Sequence, residues 1–131
     1  MSSSAETISD VYGAFGRGDI PELLAMLDES VAWRVPENLP HGGDFAGRDG
    51  VGRFFERIGE NWEDLQVELD GLTSEGDRVV AMANIRGRLR ADGEQHGYRS
   101  AHVWTLHDGV PVRFAEYVDA PVSLPAAHAV A

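Results

Sequence analysis

Two side chains with complementary proton chemistry, His102 and Glu116, stand in the most strand-like part of this chain. An imidazole and a carboxylate can share or relay a proton at neutral pH, and both are costly to bury unless they are paired or line a cavity. They fall within Tyr98 to Asp119, YRSAHVWTLHDGVPVRFAEYVD, two runs rich in Val, Trp, Tyr, Phe and Thr joined at Asp108-Gly109. That is a strong hairpin signal. A two-residue loop would pair His107 with Val110, whereas a three-residue loop with a left-handed Gly109 pairs Leu106 with Val110. The second register is preferred. It gathers His102, Trp104, Leu106, Val110, Val112, Phe114, Glu116 and Val118 on one face, predicted buried, with His102 one position removed from Glu116. Val103, Thr105, His107, Pro111, Arg113, Ala115 and Tyr117 take the other face.

On that face Glu116 reads as a general acid/base whose pKa the apolar surroundings raise. The competing reading is a structural carboxylate bonded to an arginine such as Arg34. His102 either orients a substrate and shares a proton with Glu116, or is a core histidine bonded to backbone. Trp33, Trp104, Phe54, Phe55 and Phe114 either line a ligand pocket or fill the core. His102 and His107 lie on opposite faces, and no helical histidine pair at four-residue spacing occurs, so no metal site is expected. No nucleophile elbow, phosphate-binding glycine loop or cofactor fingerprint is present, which favours cofactor-free chemistry.

The elements that must position these groups follow from periodicity. Ile8, Val11, Tyr12 and Phe15 predict a helix over Ala5 to Arg17. Asp19, with Glu22 three residues on, predicts an N-cap and capping box for a second helix carrying Ile20, Leu23, Leu24 and Leu27. Ser30 to Val35 is a short strand with Trp33, stopped by Pro36. A long loop is expected over Pro36 to Asp49, where His41, Asp44 and Arg48 could form a lid or the loop could simply close the rim of the fold. A third helix runs from about Gly50 to Trp62, and strands from Leu65 to Thr73, Val79 to Arg90 and Gln95 to His107. Arg86, Arg88 and Arg90 share one solvated face. The order predicts an α+β arrangement, three helices on one side of a curved, mostly antiparallel sheet.

The length of 131 residues fits a single domain over 1–131, with 1–4 and 125–131 as frayed tails. A hydrophobic share of 43% and a charged share of 25% are those of a soluble globular protein. The formal net charge of -11 argues against nucleic acid and anionic membrane surfaces as partners. The absence of Cys and of an apolar N-terminal segment leads to an expectation of a cytoplasmic location.

The element order, GRGD before the second helix, VAWRVP, GGDFAGRDGV and the VWTLHDGVPVRFAEYVD ending resemble the SnoaL-like branch of the nuclear transport factor 2 (NTF2-like) superfamily, from about Ile8 to Asp119. The resemblance implies a cone-shaped fold, a deep pocket between sheet and helices, and a homodimer built through the outer sheet face. The superfamily's steroid isomerases use a Tyr, a protonated Asp and a basic Asp. Their Tyr position falls on Val11, with Tyr12 one residue late as a pocket-lining candidate; their base falls on Arg34 or Val35, and their oxyanion Asp near His102 or Val103. That mechanism is therefore disfavoured. The branch's polyketide cyclases are closer: their acid/base carboxylate, three residues before the Asp that closes the last strand, corresponds to Glu116 ahead of Asp119. The expectation is a small-molecule enzyme of isomerase, cyclase or hydrolase type acting on a hydrophobic, carbonyl-bearing metabolite. The alternative is a non-catalytic ligand-binding or dimerisation module.

Overall fold

The computed structural model describes residues 3–118 and 124. Three helices and six strands follow the order α1 (Ser4–Gly16), α2 (Ile20–Met26), β1 (Ala32–Val35), β2 (Gly43–Ala46), α3 (Gly47–Asn61), β3 (Trp62–Glu75), β4 (Arg78–Leu89), β5 (Gln95–His107) and β6 (Val110–Val118). The sheet order is β2-β1-β6-β5-β4-β3, antiparallel throughout except for the parallel β1–β6 pair. This is the expected α+β architecture, an open curved sheet with the helices over one face. No helix among the described residues is long and apolar enough to cross a membrane.

The helices end where the side chains dictate, with two corrections. Ser3 and Ser4, expected in a frayed tail, cap and open α1: Ser3 Oγ accepts from Glu6 N at 3.1 Å, and the Glu6 carboxylate accepts from Ser3 N. The capping box therefore sits there. At α2 only half of the expected box forms, because Asp19 accepts from Glu22 N while the Glu22 carboxylate turns to Arg17 at 2.8 Å. The expected tail at 125–131 lies outside the described residues.

The stretch expected as a loop over Pro36 to Asp49 is shorter and more ordered. Gly43–Ala46 adds β2 at the sheet edge, and α3 starts at Gly47 rather than Gly50. The three residues considered for a lid have separate partners: His41 is buried, Asp44 pairs with Arg34 on the surface, and Arg48 donates to Leu27 O and Ala25 O at the end of α2.

The hairpin combines both registers. The turn is the two-residue one, pairing His107 with Val110, with Asp108 (φ 49) and Gly109 (φ 79) both left-handed. Such a turn matches the twist of the strands. A bulge then inserts one extra residue at Val112, and the interior pairs become Trp104 with Phe114 and His102 with Glu116. The predicted inner set thus holds from Phe114 to Val118 but fails beside the turn. There Val110 is exposed, Val112 half-buried, and Pro111, expected outside, is buried with its carbonyl accepting from Asp28 N.

The core lies between the helices and the inner sheet face, where Ile8, Val11 and Leu23 meet Trp33, Trp104 and Phe114. Trp33 stacks on Phe114 at 4.1 Å between ring centroids and meets Trp104 and Phe54 edge-on or tilted at 5.5 Å. Along β4, Ala81, Ala83 and Ile85 point inward, while Arg86 and Arg88 point outward at its solvated end.

Candidate functional site

The aromatic layer does not close completely. It surrounds a cavity of about 520 Å³ of empty space, counted out through its mouth. Val11, Tyr12 and Phe15 come from α1, Phe54, Phe55 and Ile58 from α3, Trp33 from β1, and Leu65, Val67 and Ile85 from β3 and β4. β5 and β6 supply Tyr98, His102, Trp104, Phe114 and Glu116. Phe15, Phe55, Ile58, Leu65 and Val67 are half-buried and mark the mouth; His102 and Glu116 are each 5% exposed, on the floor. The structure thus places His102, Glu116, Tyr12, Trp33, Phe54, Phe55, Trp104 and Phe114 around one space. Trp33, Phe54, Trp104 and Phe114 are at once core and lining.

The bulge makes His102 and Glu116 direct cross-strand neighbours rather than diagonal ones, and His102 Nε2 lies 3.0 Å from Glu116 Oε2. Arg34 is not the partner of Glu116, since it is exposed and bonded to Asp44. His102 is bonded to side chains, not to backbone: Tyr12 Oη is 2.6 Å from Nδ1, and Ser100 Oγ is 3.1 Å from Nε2. Trp104 Nε1 donates to Tyr12 Oη at 3.0 Å.

The direction of these bonds can be worked out. Burial pushes the Glu116 carboxyl up, but the hydrogen bonds from His102 and Ser100 help carry it below the usual carboxylate value. The expected upward shift is thus reversed, because the histidine stands opposite instead of one step away. As a carboxylate, Glu116 only accepts, so His102 Nε2 carries the proton. A singly protonated imidazole then has its lone pair on Nδ1, and Tyr12 donates to it. Trp104 N–H to Tyr12 O–H, Tyr12 to His102, and His102 to Glu116 form one directed relay ending on the anion. Burial also raises the Tyr12 hydroxyl far above its ordinary value, keeping it neutral. Asp119, the expected closing residue, lies outside the described residues.

Sequence reasoning missed a second cluster. Trp62 Nε1 donates to His41 Nδ1 at 3.1 Å, and His41 Nε2 lies 3.3 Å from Tyr98 Oη. His41 comes from the segment before β2 and shows no periodicity; Tyr98, on the same β5 face as His102, was legible from alternation. Away from the cavity, Asp92, Glu94 and His96 bring ligand atoms within 4.8 Å of one another at the β4–β5 turn. Asp92 there accepts from Glu94 N and from His96 Nε2, bonds that close the turn.

A comparison with curated proteins returns no match. Among solved structures, an NTF2-like protein from Burkholderia thailandensis E264 is 29% identical, with a TM-score of 0.85 over 91% of this chain and 92% of that one. TerC, co-crystallised with polyporic acid, is 25% identical with a TM-score of 0.81 over 90% of this chain and 92% of that one. A candidate polyketide cyclase from Pseudomonas putida KT2440 shares the fold at 22% identity, with a TM-score of 0.71 over 89% and 92% of the two chains. The profile of the SnoaL-like domain matches residues 8–116, nearly the whole span from α1 to the relay's terminal carboxylate, and the chain therefore belongs to the SnoaL-like family of the NTF2-like fold.

Proposed function

We propose that this chain is a cofactor-free acid/base enzyme acting on an uncharged, hydrophobic carbonyl compound, with Glu116 as the proton acceptor and His102 as its partner. The direct 3.0 Å contact between His102 and Glu116 on an otherwise aromatic floor carries the reading. A carboxylate held below its ordinary pKa is a modest base, so the proton it removes belongs to an activated carbon, such as one between two carbonyl groups. As the substrate proton moves to Glu116, the His102 N–H remains beside it and spreads the change in charge along Tyr12 and Trp104. Whether the enolate then isomerises, cyclises or is protonated again depends on the substrate. The co-crystallisation of TerC with polyporic acid supports a small organic ligand for this cavity too. The working unit is a homodimer joined through the outer sheet face.

Exchange of the activated benzylic α-protons of 2-tetralone, a ketone uncharged at neutral pH, for deuterium, followed by NMR, tests the chemistry without knowledge of the natural substrate. Glu116→Gln should keep the fold and lower exchange by roughly 10²- to 10⁴-fold, the usual contribution of a positioned acid or base. If the variant loses thermal stability while exchange is unchanged, the site is a receptacle and the chain a ligand-binding module.

A further inference from the structure

The cavity contains hydrogen-bond donors that the Glu116 chemistry leaves unused. Trp62 Nε1 can only donate, and it meets His41 Nδ1 at 3.1 Å, so that nitrogen keeps its lone pair. Burial holds His41 neutral, with its pKa pushed down to about 4, and its one proton therefore sits on Nε2. Nε2 faces Tyr98 Oη at 3.3 Å. The Tyr98 oxygen thus accepts from His41, and its own hydrogen is left to donate; among the described residues no side chain or carbonyl takes it. Trp33 supplies a second spare donor, since its buried indole N–H has no acceptor among the described residues and its ring lines the same cavity. Leaving a buried donor such as the Trp33 N–H unsatisfied costs roughly 1–3 kcal/mol, and the half-buried Tyr98 lines the same space, which favours an acceptor arriving with a ligand.

Placement and charge narrow that ligand. Tyr98 and His102 share the inner face of β5, four residues and roughly 13 Å of strand apart, with Glu116 opposite His102. Ile85 pairs with Tyr98, and Trp33, Phe54 and Phe55 complete apolar walls around the same space. Among the described residues no Lys or Arg lines the cavity, whereas Glu116 brings a negative charge. An anionic ligand would find repulsion and no counter-ion.

We infer that Tyr98, positioned by His41 and Trp62, is the carbonyl-binding donor of this cavity. The ligand class is an uncharged, flat aromatic ketone whose far end presents a hydroxyl or acidic C–H to Glu116. The inference rests on the reading above that the cavity takes a small organic molecule, and it adds the residue that binds the carbonyl and the exclusion of anions.

Binding of 6-acetyl-2-naphthol, followed by titration calorimetry, tests it against 2-acetylnaphthalene, 2-naphthol and 6-hydroxy-2-naphthoate. Tyr98→Phe should weaken the two acetyl compounds by about tenfold, a hydrogen bond's worth, and leave 2-naphthol unchanged. The naphthoate should bind the wild type at least about tenfold more weakly than the ketone. Thermal melting confirms that the variant is folded, and 15N NMR should show His41 as the Nε2–H tautomer. Equal weakening of all probes by Tyr98→Phe, no weakening of the ketones, preference for the naphthoate, or no binding to the wild type would each overturn the inference. Glu116→Gln separates the two readings: it should weaken only the hydroxyl-bearing probes, and its failure to do so removes Glu116 from the ligand's far end while leaving Tyr98 in place.

Discussion

Glu116 is pulled in opposite directions by the same burial that makes it useful. Aromatic walls favour the neutral acid, and the N–H of His102 beside it favours the anion, which prevails. The resting state is therefore a base awaiting a proton. Tyr12→Phe would remove the donor to His102 Nδ1 and the acceptor of Trp104 Nε1 together, leaving two buried polar atoms unpaired. Urea unfolding should show a loss of roughly 1–3 kcal/mol, with exchange activity falling less than in Glu116→Gln. His41 makes stability depend on pH. Unfolded, it takes up a proton below about pH 6.5; folded, it stays neutral until about pH 4. Its contribution is thus fully present above pH 6.5 and is lost as pH falls towards 4, by roughly 3 kcal/mol. The lowered Glu116 carboxyl acts in the same sense. Melting curves between pH 4 and 7.5 should steepen on the acid side, and His41→Gln, which retains a donor and an acceptor, should flatten that slope. At this scale the facing of His102 and Glu116 was legible, because two-residue alternation fixes parity. The sign of the carboxyl shift was not, because it depends on a one-step change in cross-strand partner.

That step belongs to the hairpin as an element. Asp108-Gly109 was readable as a turn, but a two-residue turn followed by a bulge within the strand and a three-residue turn with its bulge at the tip give strands of the same facing further along. The structure separates the functions instead, with a tight turn at the tip and the extra residue two positions further at Val112. Pro111 explains part of this, since it has no N–H to pair and its carbonyl is taken by Asp28. The segment before α3 was harder to read, because two Pro and several Gly mask a four-residue edge strand whose burial pattern has no strong apolar alternation. Its Gly42 is a close-approach position: a Cβ there would lie 1.9 Å from Pro36 O and 2.8 Å from Glu37 Cα, both backbone. Gly42→Ala must therefore move the turn that carries His41. The expected cost is roughly 2–4 kcal/mol, seen as a drop in Tm of roughly 10 °C, with loss of the His41 tautomer signal. Gly59→Ala, which meets nothing within 4 Å on the α3 surface, should instead be neutral or slightly stabilising.

On the scale of the whole molecule, the outer face of the sheet divides into two zones. Near Arg86 and Arg99 it is charged, with Arg86 paired to Glu68 and Arg99 to Asp70 and Asn84. Across the centre of β4, β5 and β6 it presents Val80, Met82, Ala101, Val103 and Thr105, all half-buried, beside Tyr117 at 60% exposure. A central apolar strip bordered by ion pairs is the form of a self-complementary contact, in which a two-fold axis would set Tyr117 and Val103 of one protomer against the same strip of its partner. The formal charge of -11 on each copy opposes that pairing, and salt screens the repulsion more than it weakens apolar contact. Sedimentation equilibrium should therefore find a dimer whose dissociation constant rises as ionic strength is lowered. Val103→Arg, introducing a charge at the centre of the strip, should give a folded monomer with an unchanged melting profile at low protein concentration. A monomeric mass for the wild type at every concentration, or a dimer insensitive to Val103→Arg, would place the apolar strip outside any interface.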